Sequence, residues 1–412
     1  MRKIRWALLL AVLCLLAGCG GGAVQEATQP QPVEVQVEFE ETERTLQYQG
    51  VELSMQALWQ QDDPRARVLE EAAALFEKQT GAVMMIHWPG EDGAASAYPA
   101  EIDVFQLNEA DFQSAGIEYA LDLTKMAEAA GYNEKSHEVL RQQIIGQCGY
   151  LGAVAQVPYL GGIYYNARIF EDCGIVQTPR NWEEFLNVCR ILREAGWQPM
   201  TLDNGDTLTA TELHLRRTIR REELARLMDK DAHWQNHHGA IAALEQVMAF
   251  VQEGNIAYGT PADHPAGQNK MALSGSAMMV GTNATCASVE AATLVDLDWG
   301  MFPYPGETGS GTWITADVLM IHKDSPNGQA AFDFLMLLVT GEFDQLRADL
   351  SEGIPADPAN ASVIDGAMEA LAAAQPEPLG LLGRKQQDAT VKLWSGWYKK
   401  VSSYASALER SK

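Results

Sequence analysis

Several groups of residues have types and spacing that could support chemistry. His233, His237 and His238 cluster, and His233 and His237 lie four apart, a separation that places two imidazoles on one helix face as in zinc sites. No matching Glu general base or third ligand follows in pattern, so a solvated helix face is the better reading and no metal is expected. Asp203-Asn204-Gly205-Asp206 begins like a calcium loop but has no Glu at its twelfth position. Asp103 and Glu109 could imitate the acid pair of a glycoside hydrolase, yet with 55 acidic residues such pairs arise by abundance alone. The sequence has no GxSxG elbow, HExxH helix, P-loop or GxGxxG turn. No catalytic residue and no cofactor is therefore expected. Trp59-Gln60-Gln61-Asp62 is of another kind, a flat apolar ring beside two amides and a carboxylate, groups suited to holding hydroxyls.

The cysteines carry a different chemistry. Arg2, Lys3 and Arg5 precede an uncharged apolar run from Trp6 to Leu16, shorter than a bilayer needs and of the length of a secretory signal. Leu16-Ala17-Gly18-Cys19 then looks like a bacterial lipobox, which implies cleavage before Cys19 and a diacylglycerol on its thiol. Gly20-Gly21-Gly22 and the Gln-, Pro- and Glu-rich stretch to residue 47 read as a flexible tether, within which Val33, Val35, Val37 and Phe39 alternate like an added strand. The protein is expected on the extracytoplasmic face of the cell membrane, held by the lipid alone. Cys148, Cys173, Cys189 and Cys286 are widely spaced without a CxxC pair, so no zinc or redox motif is signalled. A disulfide is open in that compartment, and Cys189 reads as core. With 30 basic against 55 acidic residues the formal charge is −25, which argues against a nucleic-acid partner.

Roughly 360 residues follow the tether, more than one core usually serves, so two lobes are expected. Strand and helix signals alternate along them: strands over 51–58, 83–88, 102–107, 154–157 and 199–202, with helices over 64–78, 110–115, 123–130 and 181–195. Asn181 with Glu184 has the spacing of a capping box. The stretch 211–254 is mostly helical, 299–302 and 313–322 are strands, 328–340 is an apolar helix and helices dominate the end. This is an α/β pattern.

At this point the motifs resemble a family. "LFEKQTGAVMMI", "EIDVFQL", "VPYLGGIYYNARIFEDCGI", "TPRNWEEFLNVCRILREAG", "KMALSGSAMMVGTNA", "WGMFPYPG", "VLMIHKDSPNGQAAFDFLMLL" and "GIPA" occur in the order seen in family 1 extracellular solute-binding proteins, over about residues 50–405. Ser274 and Gly275 depart from that family's usual Gly-Lys. The resemblance implies a two-lobe periplasmic-binding-protein-like α/β fold of the type II class, with several hinge crossings. One lobe would comprise 48–156 plus 302–340 and the other 157–301 plus 341–412. It also implies a monomer that captures a carbohydrate, from mono- to oligosaccharide, in the cleft between the lobes and delivers it to the permease subunits of an ABC importer, without catalysis. A non-sugar solute, a sensor role and, more remotely, a secreted glycoside hydrolase stay open.

The loops that the resemblance places around the cleft supply the candidate ligand residues. Trp59, Gln60, Gln61 and Asp62 follow the first strand, and Gln106, Asn108 and Glu109 the third. Tyr159 falls at the first crossing, and Asn204 and Asp206 in a Gly-bearing turn that could equally be structural. Asn283 stands where many members carry a stacking aromatic, Trp313 begins a strand near the cleft, and Trp394 and Trp397 lie three apart on one face of an expected late helix. For every Trp, core packing is the competing reading.

Overall fold

The computed structural model describes residues 46–63, 65–90, 98–202, 206–257, 275–283, 285–286, 289, 298–306, 311–351 and 379–412. The lipobox, the tether with its alternating valines, and Asn204 lie outside the described residues.

Strand β1 (Glu52–Gln56) buries three successive residues, Leu53, Ser54 and Met55. A strand covered on both faces does this. It pairs in parallel with β2 (Val83–His87) and β3 (Val104–Asn108). The helix Ala66–Thr80 connects β1 to β2 and buries Ala66, Val68, Leu69, Ala72 and Phe76 at helical spacing. Gly81 ends it in the left-handed region at φ 78°, its N–H donating to the Glu77 carbonyl. A side chain there would also meet the Gln49 backbone at 3.0 Å, so glycine is required twice over.

Two long strands run through the middle of the molecule. β4 (Val154–Asn166) and β9 (Trp313–Ile321) pair antiparallel with each other, and β3 adds to β9 on the other side. Beyond β4 come β7 (Ser276–Thr282), antiparallel to it, then β5 (Gln198–Thr201) and β6 (Ile256–Ala257), parallel to one another. The sheet order is β2-β1-β3-β9-β4-β7-β5-β6, with β8 (Trp299–Phe302) also on β4. β4 is far longer than the expected 154–157 strand. Pro158 and the pair Gly161-Gly162 look like strand breakers, yet a register shift at Gln156 admits the proline. Gly161 sits directly opposite Trp313, and a Cβ on it would lie 1.9 Å from the indole. The glycine therefore makes room for that ring.

Hydrophobic residues form two main clusters that divide along β4 and β9. Tyr159 and Leu160 belong to the first and Ile163 to the second; Ile314 belongs to the first and Trp313 to the second. Phe302 and Tyr304 pack in the second cluster, while Phe343 and Leu346 of helix Gly341–Ser351 pack on the first. β9 itself carries side chains of both clusters. The second cluster is closed by helices Trp182–Glu194, Thr207–Arg216, His238–Gln252, Gln387–Trp394 and Val401–Arg410. Asn181 caps the first of these by accepting from the Glu184 N–H, and Glu184 accepts in return from the Arg180 N–H. Cys189 is fully buried here, and the four described cysteines are free thiols.

The expectation of one face shared by Trp394 and Trp397 is corrected. The helix ends at Trp394, and Gly396 at φ 71° turns the chain before Trp397, which is 70% exposed.

Candidate functional site

Where the two clusters meet along β4 and β9, the surface is hollowed by two cavities of about 540 and 240 Å³ that share Thr282 and Thr315. The larger is lined by Leu58, Trp59, Gln60, Asp63, Arg65, Asn108, Tyr159, Ala316 and Asp317 besides the shared pair. Strand register explains the grouping. Asn108 at the end of β3 faces Asp317 on β9, and Thr315 two residues earlier faces Tyr159 on β4.

Asp317 organises this floor. Its Oδ2 accepts from the Tyr159 hydroxyl at 3.0 Å and from the Trp59 indole N–H at 3.3 Å. Arg65 lies over the Trp59 ring at 4.7 Å, donates to the Tyr159 hydroxyl at 3.4 Å and grips both carboxylate oxygens of Asp63. Burial acts against the charge on each partner. Their mutual hydrogen bonds outweigh it, so Asp63 is held below the ordinary carboxylate range and Arg65 above its own. One face of Trp59 is therefore occupied by a cation, and the floor is more polar than an aromatic platform.

The smaller cavity is lined by Glu109, Gln113, Gln143, Asp206, Leu208, Thr209, Glu212, Trp313, Ile314, Leu379, Gly380 and Leu382. Glu109 accepts from the side-chain amides of Gln143 and Gln147 on helix Glu138–Cys148. Glu212, 1% exposed, accepts three backbone N–H bonds from Gly380, Leu381 and Leu382 on one oxygen. Burial pushes its carboxyl above the ordinary range, opposed by those N–H groups and by the Arg216 and Arg221 charges. Gln113 reaches across from the first cluster's side, donating to the Gly380 carbonyl at 3.2 Å.

The residues expected at the cleft separate into three groups. Trp59, Gln60, Asn108 and Tyr159 line the larger cavity, and Glu109, Asp206 and Trp313 the smaller. Gln61 and Asp62 are exposed in the same turn but line neither cavity. The others face elsewhere. Gln106, 1% exposed, accepts from the Leu58 N–H and donates to Gln156, so it pins the loop after β1 from beneath. Asn283 accepts from the Leu160 N–H and ties the end of β7 to β4. Trp394 is fully buried with its indole N–H on Thr211, and Trp397 lies outside both linings. Sequence reasoning missed Asp63, Arg65, Asp317 and Glu212. Asp317 had a visible signal, a single charge inside the apolar run Trp313–Ile321. His237 caps a helix, accepting from the Ala240 N–H and meeting Glu223. Among the described residues no group of three potential ligands gathers.

This geometry meets the comparisons with known proteins. Residues 69–342 match the family described as bacterial extracellular solute-binding protein. The chain belongs to that family. No curated protein matches this solute-binding protein in sequence. Among solved structures it is similar to a chitin oligosaccharide binding protein, at 16% identity and TM-score 0.70 over 87% of this chain and 97% of that one. It is also similar to the apo-form of RafE from Streptococcus pneumoniae, at 15% and 0.69 over 87% and 96%. Maltose-bound MalE3 from T. maritima follows at 14% and 0.66 over 87% and 98%. At such identities the likeness establishes the two-lobe α/β fold. The family is one of binding proteins. Among the described residues no helix is long and apolar enough to cross a membrane.

Proposed function

We propose that this solute-binding protein captures a carbohydrate, mono- to oligosaccharide, in the cleft that holds the two cavities and hands it to an ABC permease without making or breaking a bond. The observation that supports this is the polar floor between two separate cores, where Asn108, Asp63, Arg65, Asp317 and Tyr159 gather planar and charged groups around about 540 Å³. Such groups recognise hydroxyls, and a site between lobes lets each lobe contribute contacts only when both close on the guest. Similar structures are titled as binding chitin oligosaccharide, stachyose and raffinose, which agrees with this class. With Arg65 on Trp59 and Asn283 committed to β4, recognition rests on hydrogen bonds more than on ring stacking. Lipidation at Cys19 would hold the monomeric protein on the outer face of the cell membrane, within reach of the permease.

A thermal-shift screen of the purified protein against a glycan panel tests the proposal. A ligand that binds the folded form alone at a hundred times its Kd adds about 2.7 kcal/mol and raises the melting temperature. A glycan is expected to do so, with no product released. If no glycan shifts the transition while an aliphatic amine or a metal ion does, the carbohydrate assignment is wrong. Cleavage of a bound glycan would contradict the absence of catalysis.

A further inference from the structure

We infer that the smaller cavity is a subsite for a protonated amino group, so that the preferred ligand is a glycan carrying a free primary amine. This rests on the sugar-capture reading and narrows it.

The lining of this cavity is one-sided. It holds three carboxyl groups, Glu109, Asp206 and Glu212, and among the described residues no Lys, Arg or His; the Arg216 and Arg221 charges reach Glu212 from outside the lining and help to keep it ionised against burial. Its unmet hydrogen-bonding capacity is also one-sided. Gln143 is 7% exposed, and its amide nitrogen donates to Glu109 and to the Ile314 carbonyl. Both partners are acceptors, which fixes the orientation of the amide, and its Oε1 is left buried without a partner. Glu212 spends one oxygen on three backbone N–H bonds, and its Oε1 is likewise buried and unpartnered. Two orphaned acceptors from separate helices, Glu138–Cys148 and Thr207–Arg216, thus belong to one lining. Leaving buried acceptors unpaired is costly, and a group with several donors and no acceptor satisfies both at once without adding acceptors that need partners of their own. An ammonium has three donors and a positive charge. A hydroxyl brings one donor and adds acceptor lone pairs, and an acetamido group brings one N–H and a further carbonyl. Charge and donor count both select the amine. The Arg65–Asp63 pair in the larger cavity is internally neutral and leaves the rest of the cleft for hydroxyls.

The test uses matched sets of sugars, each as the free amine, the N-acetyl form and the hydroxyl form, including glucosamine, N-acetylglucosamine and glucose and their short oligomers, with spermidine as a sugar-free amine. Calorimetry on the full protein is expected to give at least about tenfold tighter binding for an amine than for its hydroxyl counterpart, ~1.4 kcal/mol. Glu109→Gln and Asp206→Asn should each shrink that ratio by weakening the amine more than its hydroxyl counterpart, whereas a merely structural effect would weaken both alike and leave the ratio standing. Glu212 is left unchanged in these variants because it also holds the turn at Gly380–Leu382. Equal or tighter binding of the hydroxyl or N-acetyl forms overturns the subsite and leaves sugar capture standing. Binding of spermidine with no sugar bound, or of nothing in the panel, overturns both.

Discussion

Gly161 is the point at which the fold and the site can be disturbed together by one methyl group. A Cβ at this position would lie 1.9, 2.3 and 2.4 Å from three carbons of the Trp313 ring. Carbon contacts settle at about 3.5 Å, so the indole would have to retreat by ~1.5 Å. It has little room, being buried in the second cluster and directly opposite Gly161 across β4 and β9. Overpacking of this kind costs ~1–3 kcal/mol, partly offset by the ~0.4–1 kcal/mol that alanine gains through the unfolded chain. Trp313→Ala alone should cost about 3–5 kcal/mol. The assay is a double-mutant cycle by urea unfolding of the wild type, Gly161→Ala, Trp313→Ala and the double variant. We predict that Gly161→Ala destabilises the wild type by ~1–2 kcal/mol and is neutral or stabilising once Trp313 is gone. The same cost in both backgrounds would refute the reasoning that the glycine exists to seat the ring. Because Trp313 also lines the smaller cavity, Gly161→Ala should weaken ligand binding while leaving the Asp317 floor in place.

Further outcomes follow from the same contacts. Asp317→Ala strips the acceptor from both Tyr159 and the Trp59 indole, and should lower ligand affinity tenfold or more by calorimetry, with Asp317→Asn milder because it keeps an acceptor oxygen. His214 is pushed down to about 3 by burial, with the Arg217 charge acting the same way. The unfolded chain therefore binds the proton that the fold refuses. His214 contributes its full stability above pH 6.5 and loses it as pH falls from there toward about 3, at up to ~1.4 kcal/mol per pH unit. Glu212, whose carboxyl is raised by burial, works in the opposite direction at the acid end, so urea midpoints between pH 7 and 4 should be compared for the wild type and His214→Gln, and the variant should show the shallower fall. Cys19→Ser should release the protein from the membrane fraction into the soluble fraction of an expressing bacterium and abolish its labelling by radioactive fatty acid.

Local elements were legible where local chemistry decides them. The strand Trp299–Phe302 was read to the residue, and the Asn181 cap and Gly81 stop follow from spacing and backbone freedom alone. Of β4 only 154–157 is legible; Pro158 and the paired glycines beyond it serve tertiary ends, a shifted register and space for Trp313. The site divides in the same way. Trp59, Tyr159 and Glu109, expected at the cleft from strand ends and resemblance, line the two cavities. Gln106 and Asn108 lie two apart on β3 and so share a face; that the loop after β1 closes over the first and leaves the second open at the strand end is set by tertiary packing, which no local pattern encodes. Trp394 and Trp313 are equally apolar as residue types, and only the packed helices separate a core ring from one at a cavity wall. Asp63 and Arg65 read as solvated charges in a polar turn, and their pairing over Trp59 appears only when β1 and the following helix are brought together.

Capture as proposed requires two halves, hinged where β4 and β9 pass from one core to the other, to shut on a guest held between them. Small-angle X-ray scattering of the purified protein, with and without a saturating ligand identified by calorimetry, tests it most directly. The prediction is a smaller radius of gyration on binding, an effect that disappears when Asp317→Ala removes the guest's hold on the floor. A scattering profile unchanged by a tightly bound ligand would contradict it.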